Sequence, residues 1–102
     1  MLAGYDTVAT ALSFTLFYLA MTPECLEKAQ QEVDSILDGK DPDYETAQSM
    51  TYLEMCLNEA LRLFPPGLII DRMAKNDTEV NGVKIPKGVS VTFPVVSIHV
   101  LA

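Results

Sequence analysis

The sequence predicts an α+β fold, mainly helical with a small antiparallel β part. Three observations carry that reading. Apolar residues recur three or four apart through the first two thirds of the chain. Pro65-Pro66-Gly67 then breaks the pattern. After the break, short β-type runs flank turn signals such as Asn81-Gly82. Helices followed by short hairpin-linked strands is the order of an α+β chain. At 102 residues and 49% hydrophobic, the sequence allows one domain at most and describes a folded chain rather than a disordered one. Its core should be modest, because short chains bury a smaller share of their surface.

The first helix is expected over about residues 2–21. The 17 residues between Asp6 and Glu24 carry no charge, close to the length of a membrane span. Thr7, Thr10, Ser13, Thr15 and Thr22 dilute the run, so a buried core helix is the better reading. Thr22 can cap and Pro23 suits a first helical position, so a second helix should run over about 23–37. Leu26, Ala29, Val33, Ile36 and Leu37 give it one apolar side, and the other side is acidic and wet, with an end near Asp38-Gly39. Residues 38–45 read as a polar loop, with a short helical turn at Glu45–Ser49. A third helix should occupy about 51–64 and stop before the prolines. A β-rich segment follows over about 67–94: Leu68–Ile70, a hairpin of 78–80 and 83–85 around a type I′ Asn81-Gly82 turn, and Val89–Phe93.

Charge separates the two parts. The net charge is −7, and residues 24–59 hold ten acids against Lys28 and Lys40. That balance argues against nucleic acid as a partner, since a nucleic-acid binder normally shows a basic face. Two cysteines make no disulfide scaffold. Cys25 and Cys56 fall in helical segments and read as reduced thiols. The N-terminus lacks the basic flank of a secretory signal, with Asp6 where a base would stand. Both ends are apolar and uncapped, so the chain is expected to be an internal fragment of something larger.

Two groups of residues could carry chemistry. Glu59 and Arg62 lie three apart on one helix and can pair directly; from spacing alone this is a surface ion pair worth little. Ala3-Gly4-Tyr5-Asp6-Thr7 sets small residues beside an acid and an alcohol. Small residues admit a close neighbour, and an acid next to an alcohol can feed protons to a buried site. Taken alone, that group is a helix-packing notch with an exposed aspartate.

In combination these runs resemble the haem-thiolate monooxygenases, the cytochrome P-450 family. The resemblance rests on Ala3–Thr7 with Leu12-Ser13-Phe14, on Asn58-Glu59-Ala60-Leu61-Arg62-Leu63-Phe64-Pro65, and on Val80–Gly88. In this order and spacing they look closest to the microsomal family three, subfamily A group. The resemblance covers residues 2–99 and places the chain in the part of that fold running from the long central helix (I), through helices J and K, into the short strands that follow. It makes residues 1–102 a partial domain of that fold.

The resemblance implies roles residue by residue. Asp6 and Thr7 match the catalytic acid and alcohol that pass protons toward the haem, where a low-polarity pocket excludes bulk water and so needs a relay. Ala3 and Gly4, with Thr7, match cofactor-facing positions that leave room over the haem. Arg72 matches a base that pairs with a haem propionate, and reads equally well as an ordinary exposed arginine in a strand. Glu59 and Arg62 match a structural pair completed by a further arginine downstream. Pro66, Gly67, Leu68, Ile69 and Ile70 match a strand lining the substrate pocket. The implied reaction inserts one oxygen atom of O2 into an apolar organic substrate (a steroid, lipid or xenobiotic), with NADPH electrons delivered by a flavoprotein reductase. The implied setting is the cytoplasmic face of the endoplasmic reticulum membrane, through an anchor that this chain does not carry.

Departures from the family pattern qualify these expectations. The family's iron ligand is a cysteine in a glycine-bearing loop, and neither Cys25 nor Cys56 stands in one, so no metal ligand is assigned. Val8 replaces the second threonine of many members. After His99 the chain reads Val100-Leu101-Ala102 where the family usually continues with arginine and an acid. The isolated chain is therefore expected to be inactive. The competing expectation is a non-catalytic helical fragment that binds a partner protein through apolar faces.

Overall fold

A computed structural model describes residues 2–101. The chain divides into two compact units, residues 1–66 and 67–102, with the division at the Pro65-Pro66-Gly67 break. The fold is α+β, with helices first and short antiparallel strands after.

The first unit holds α1 (Leu2–Met21), α2 (Pro23–Leu37), α3 (Tyr44–Ser49) and α4 (Thr51–Leu63). Helix α4 packs on α1 and α2, α1 meets α2, and α3 meets α2. The core is small: Leu19, Ala29, Met50 and Ala60 are buried, with Thr15 as a buried hydroxyl. The Thr15 Oγ1 donates to the Ala11 carbonyl at 2.7 Å, which satisfies it within its own helix. Phe14 stacks on Phe64, ring centroids 3.9 Å apart, and so ties α1 to the residue that ends α4.

The expectation that α1 is a buried core helix is corrected here. Tyr5, Val8, Leu12, Leu16, Phe17 and Met21 are all exposed. The helix is apolar around most of its circumference, yet α4 and α2 cover only one side of it within this unit. Among the described residues no single helix is long and apolar enough to cross a membrane.

Helix α2 buries Ala29 and half-buries Leu26, Val33, Ile36 and Leu37, the apolar side its spacing predicts. Pro23 occupies its first turn, but the Thr22 side chain makes no capping bond. The Thr22 carbonyl instead accepts the Cys25 and Leu26 amides, at 3.0 and 3.1 Å. The helix ends with Asp38 left-handed (φ 46°), followed by Gly39 (φ 77°). Helix α3 starts one residue before the expected turn, because Asp43 and Thr46 form a reciprocal capping box: the Thr46 amide donates to Asp43 Oδ1 and the Asp43 amide donates to Thr46 Oγ1, both at 2.8 Å. Helix α4 closes at Leu63, and Phe64 serves as its C-cap.

The second unit holds β1 (Ile69–Met73), β2 (Thr78–Val80), β3 (Val83–Ile85), β4 (Ser90–Pro94) and α5 (Val95–Leu101). Strand β1 pairs antiparallel with β4, from Ile69 opposite Pro94 to Met73 opposite Ser90. Strands β2 and β3 form a separate hairpin, with Val80 opposite Val83. Its turn has Asn81 at φ 50° and Gly82 at φ 82°, the two positive angles of a type I′ turn. Strand β1 runs three residues beyond the expected Leu68–Ile70 run and so carries Asp71 and Arg72. Helix α5, which packs on β1, was not expected from the sequence. Its Val95, Val96, Ile98 and Val100 are β-branched and intrinsically poor in helices, and the contact with β1 outweighs that preference.

Candidate functional site

The first turns of α1 present Ala3, Gly4, Asp6 and Thr7, all exposed. The Thr7 Oγ1 donates to the Ala3 carbonyl four residues back, at 2.7 Å. Its proton is thus directed along the helix, while its lone pairs face outward and can accept from a neighbour. Adjacent residues on a helix point about 100° apart, and among the described residues no hydrogen bond joins Asp6 to Thr7. A Cβ built on Gly4 would meet nothing within 4 Å. The absence of a side chain there is not required by packing inside this unit.

Glu59 and Arg62 form a two-pronged pair on the last turns of α4. Arg62 Nε donates to Glu59 Oε2 at 2.7 Å and Nη2 donates to Oε1 at 2.6 Å. The hydrogen bonds from Arg62 hold the Glu59 carboxyl below its ordinary value and, reciprocally, raise the guanidinium further. Both side chains remain largely solvent-accessible, 57% for Glu59 and 43% for Arg62. Within this unit, then, the pair lies at the surface, as spacing alone suggests.

Arg72 lies in β1, exposed, and its Nη1 donates to the Asp71 carbonyl at 2.9 Å. Asp71 in turn accepts Thr92 Oγ1 from β4 at 2.7 Å. Ile69 and Ile70 open the same strand, with Gly67 and Leu68 just before it, all exposed; Pro66, also exposed, closes the first unit. By element, the candidate residues lie at the α1 start, at the α4 end and in the 66–72 segment.

Two features escaped sequence reasoning. Glu32, counted among the wet acids of α2, turns inward and accepts the Tyr52 and Leu53 amides at 2.8 and 2.9 Å. Nothing in the sequence distinguishes it from the nine other acids around it. The second feature is a contact group of Tyr52 with Cys25 and Cys56. Hydrogen bonding to the Cys25 side chain, loss of water and the two neighbouring sulfurs push the Tyr52 hydroxyl up to about 12. Burial, then Cys25, pushes the Cys56 thiol up as well. Cys25 and Cys56 are both free, as expected, and both half-buried. With its thiol pushed up, Cys56 is a poor metal ligand, and among the described residues no three metal-binding side chains gather.

The family model for cytochrome P450 matches residues 1–100. Cytochrome P450 3A41 of Mus musculus is 48% identical over 98 residues, covering 95% of this chain and 19% of the relative. Cytochrome P450 3A5 of Homo sapiens is 46% identical over 98 residues, covering 95% of this chain and 20% of the relative. Cytochrome P450 3A2 of Rattus norvegicus is 45% identical over 98 residues, with 95% and 19% covered. The chain thus spans about a fifth of the length of these curated relatives. With a family match over nearly its whole length and relatives in the 3A subfamily, the chain belongs to the cytochrome P450 family.

Proposed function

We propose that this chain is the segment of a haem-dependent monooxygenase that supplies its proton-handling helix. The reaction would insert one oxygen atom of O2 into an apolar organic substrate, a steroid, lipid or xenobiotic. NADPH electrons would arrive through a flavoprotein reductase, at the cytoplasmic face of the endoplasmic reticulum membrane. The observation that carries the reading is the first two turns of α1: an exposed acid and an exposed alcohol beside Ala3 and Gly4, with open space over Gly4.

Ala3, Gly4 and Thr7 leave an uncrowded stretch of α1 that would admit a haem. Taken by itself in the second unit, Arg72 would offer a guanidinium to a propionate on leaving the Asp71 carbonyl. The axial sulfur is another matter, since neither Cys25 nor Cys56 offers an exposed loop thiolate. Haem, when bound, supplies the oxygen-activating iron. Asp6 would exchange protons with water at its carboxylate. Thr7 would accept a hydrogen bond at Oγ1 from the outside while its own hydroxyl donates to the Ala3 carbonyl. Glu59 and Arg62 would hold the end of α4 through their two-pronged pair. Pro66 through Ile70 would present apolar surface to the substrate.

By itself the chain is expected to be inactive. The reduced chain with haemin and carbon monoxide should show no band at about 450 nm, the signature of thiolate-ligated iron. The test of the functional reading is a chimera in which residues 3–98 replace the matching segment of cytochrome P450 3A5. The chimera should oxygenate an apolar substrate, and Thr7→Ala should lower product formed per O2 consumed by about tenfold or more. An active chimera indifferent to Thr7→Ala would overturn the proton role. The exposed apolar residues Val8, Leu12 and Leu16 favour a second reading, a non-catalytic piece held by a partner protein; a dead chimera that still captures a partner would favour it.

A further inference from the structure

The β2–β3 hairpin ends in Asn81-Gly82. Both turn residues are exposed, and a Cβ at Gly82 would meet nothing within 4 Å. The hairpin is a two-stranded sheet of its own, with only three residues in each strand. Every strand residue is exposed except Ile85, which is half-buried. A lone two-stranded hairpin of that size is marginal in water, so it opens readily.

We propose that Asn81 is a self-modifying position, at which the side-chain amide is lost to the Gly82 backbone nitrogen. The Gly82 amide gives up its proton to water, and its nitrogen attacks the Asn81 side-chain carbonyl carbon. The new C–N bond closes a five-membered imide, and the bond to the side-chain NH2 group breaks, releasing ammonia. Water then adds to either imide carbonyl. One product is aspartate; the other is isoaspartate, in which the main chain runs through the former side chain. The net change is one water taken up and one ammonia released, and nothing is oxidised or reduced.

The structure contributes three conditions. Gly82 carries no side chain to shield its nitrogen. Asn81 lies in solvent, so water reaches both steps. The type I′ angles hold the amide away from the attacking geometry, so reaction needs the turn to open, and among the described residues the strands that would keep it shut are exposed except at Ile85. The other two asparagines differ. Asn58 lies inside α4 before Glu59, and Asn76 precedes Asp77, whose carboxylate is tied to the Lys87 amide at 2.7 Å. Isoaspartate would insert an extra main-chain atom into a two-residue turn and so dissolve the Val80–Val83 register. The modified turn is then a substrate for an isoaspartyl methyltransferase, an enzyme class that methylates the displaced carboxyl.

The experiment incubates the whole chain at neutral and mildly alkaline pH, with and without urea, and follows each asparagine peptide by mass and by methyl acceptance. Conversion should concentrate at Asn81, gain about 1 Da, and run within about threefold of its rate in urea, as expected for an unprotected hairpin. Asn81→Gly keeps a turn-compatible residue and should abolish methyl acceptance. Folded-state conversion at Asn81 ten or more times slower than in urea would overturn the proposal, as would methyl acceptance that persists in Asn81→Gly.

Discussion

Glu32 on α2 accepts the backbone amide of Tyr52, in the first turn of α4, at 2.8 Å. The same carboxylate accepts the Leu53 amide at 2.9 Å. Met50, the residue that precedes the helix, contributes no side-chain cap. The start of α4 is thus capped from another helix rather than by its own leading residue, and an anion at the positive end of the helix is favourably placed. Glu32→Ala should cost about 1–2 kcal/mol, the usual scale for losing a cap or leaving amides unpaired. Glu32→Gln keeps one acceptor oxygen and should recover part of that. Urea unfolding gives the energies, and hydrogen exchange at the Tyr52 and Leu53 amides gives the location. Unchanged protection at both amides in Glu32→Ala would refute the capping role.

The capping box at the start of α3 sets an acid sensitivity. The Thr46 amide and hydroxyl hold the Asp43 carboxyl below its ordinary value of 3.8, and Arg62 lowers Glu59 in the same direction. A carboxyl whose folded pKa is depressed contributes stability that is complete above its unfolded pKa. That contribution disappears as pH falls through the folded value. Stability should therefore hold down to about pH 5 and decline below about pH 4. Asp43→Asn can still cap but cannot titrate, so its loss of helical circular dichroism between pH 4 and 2 should be shallower. A parallel acid curve for that variant would count against the Asp43 contribution.

Much of this fold is legible because periodicity and punctuation agree. Leu26, Ala29, Val33, Ile36 and Leu37 sit on one side of α2 as their spacing requires, and Asn81-Gly82 makes the turn its chemistry demands. The pairing of Glu59 with Arg62 follows from a spacing of three. What stayed hidden depends on contacts between elements. Glu32 is one acid among ten until α4 is placed against it. Helix α5 is written in β-branched residues, and only its packing on β1 makes it a helix. The exposure of α1 has a related cause: an apolar helix tells what it needs, and not which neighbours are present. The candidate site shows the same division. Asp6 and Thr7 are identifiable by motif, whereas the turn of Arg72 back onto Asp71 is a matter of geometry alone.

The buried alanines restrict the helix packing of the first unit. Ala60 is 3% exposed and Ala29 4%, the smallest values among the core residues. A larger side chain at either position must push a neighbouring helix outward. Ala60→Leu should therefore destabilise by about 1–3 kcal/mol despite leucine's greater hydrophobicity. Because α4 also carries Glu59 and Arg62, a shift of the helix should be visible as altered hydrogen exchange near residue 62. A stabilised Ala60→Leu would mean that the space beside residue 60 is loosely filled.

Asn76-Asp77-Thr78 has the acceptor pattern for N-linked glycosylation, and all three residues are exposed. Access therefore depends on which side of the membrane the segment meets, since the glycan is added only on the lumenal side. The proposed cytoplasmic-face placement makes a definite demand: Asn76 stays unmodified when the segment is expressed in cells within a membrane-anchored cytochrome P450 3A5 chimera. The measurement is gel mobility before and after glycosidase treatment, with Asn76→Gln as the reference. Identical mobility in all lanes is the expected result. A band that shifts on treatment, and is missing in Asn76→Gln, would place the β2–β3 segment in the lumen and remove the basis for electron delivery by a cytoplasmic reductase.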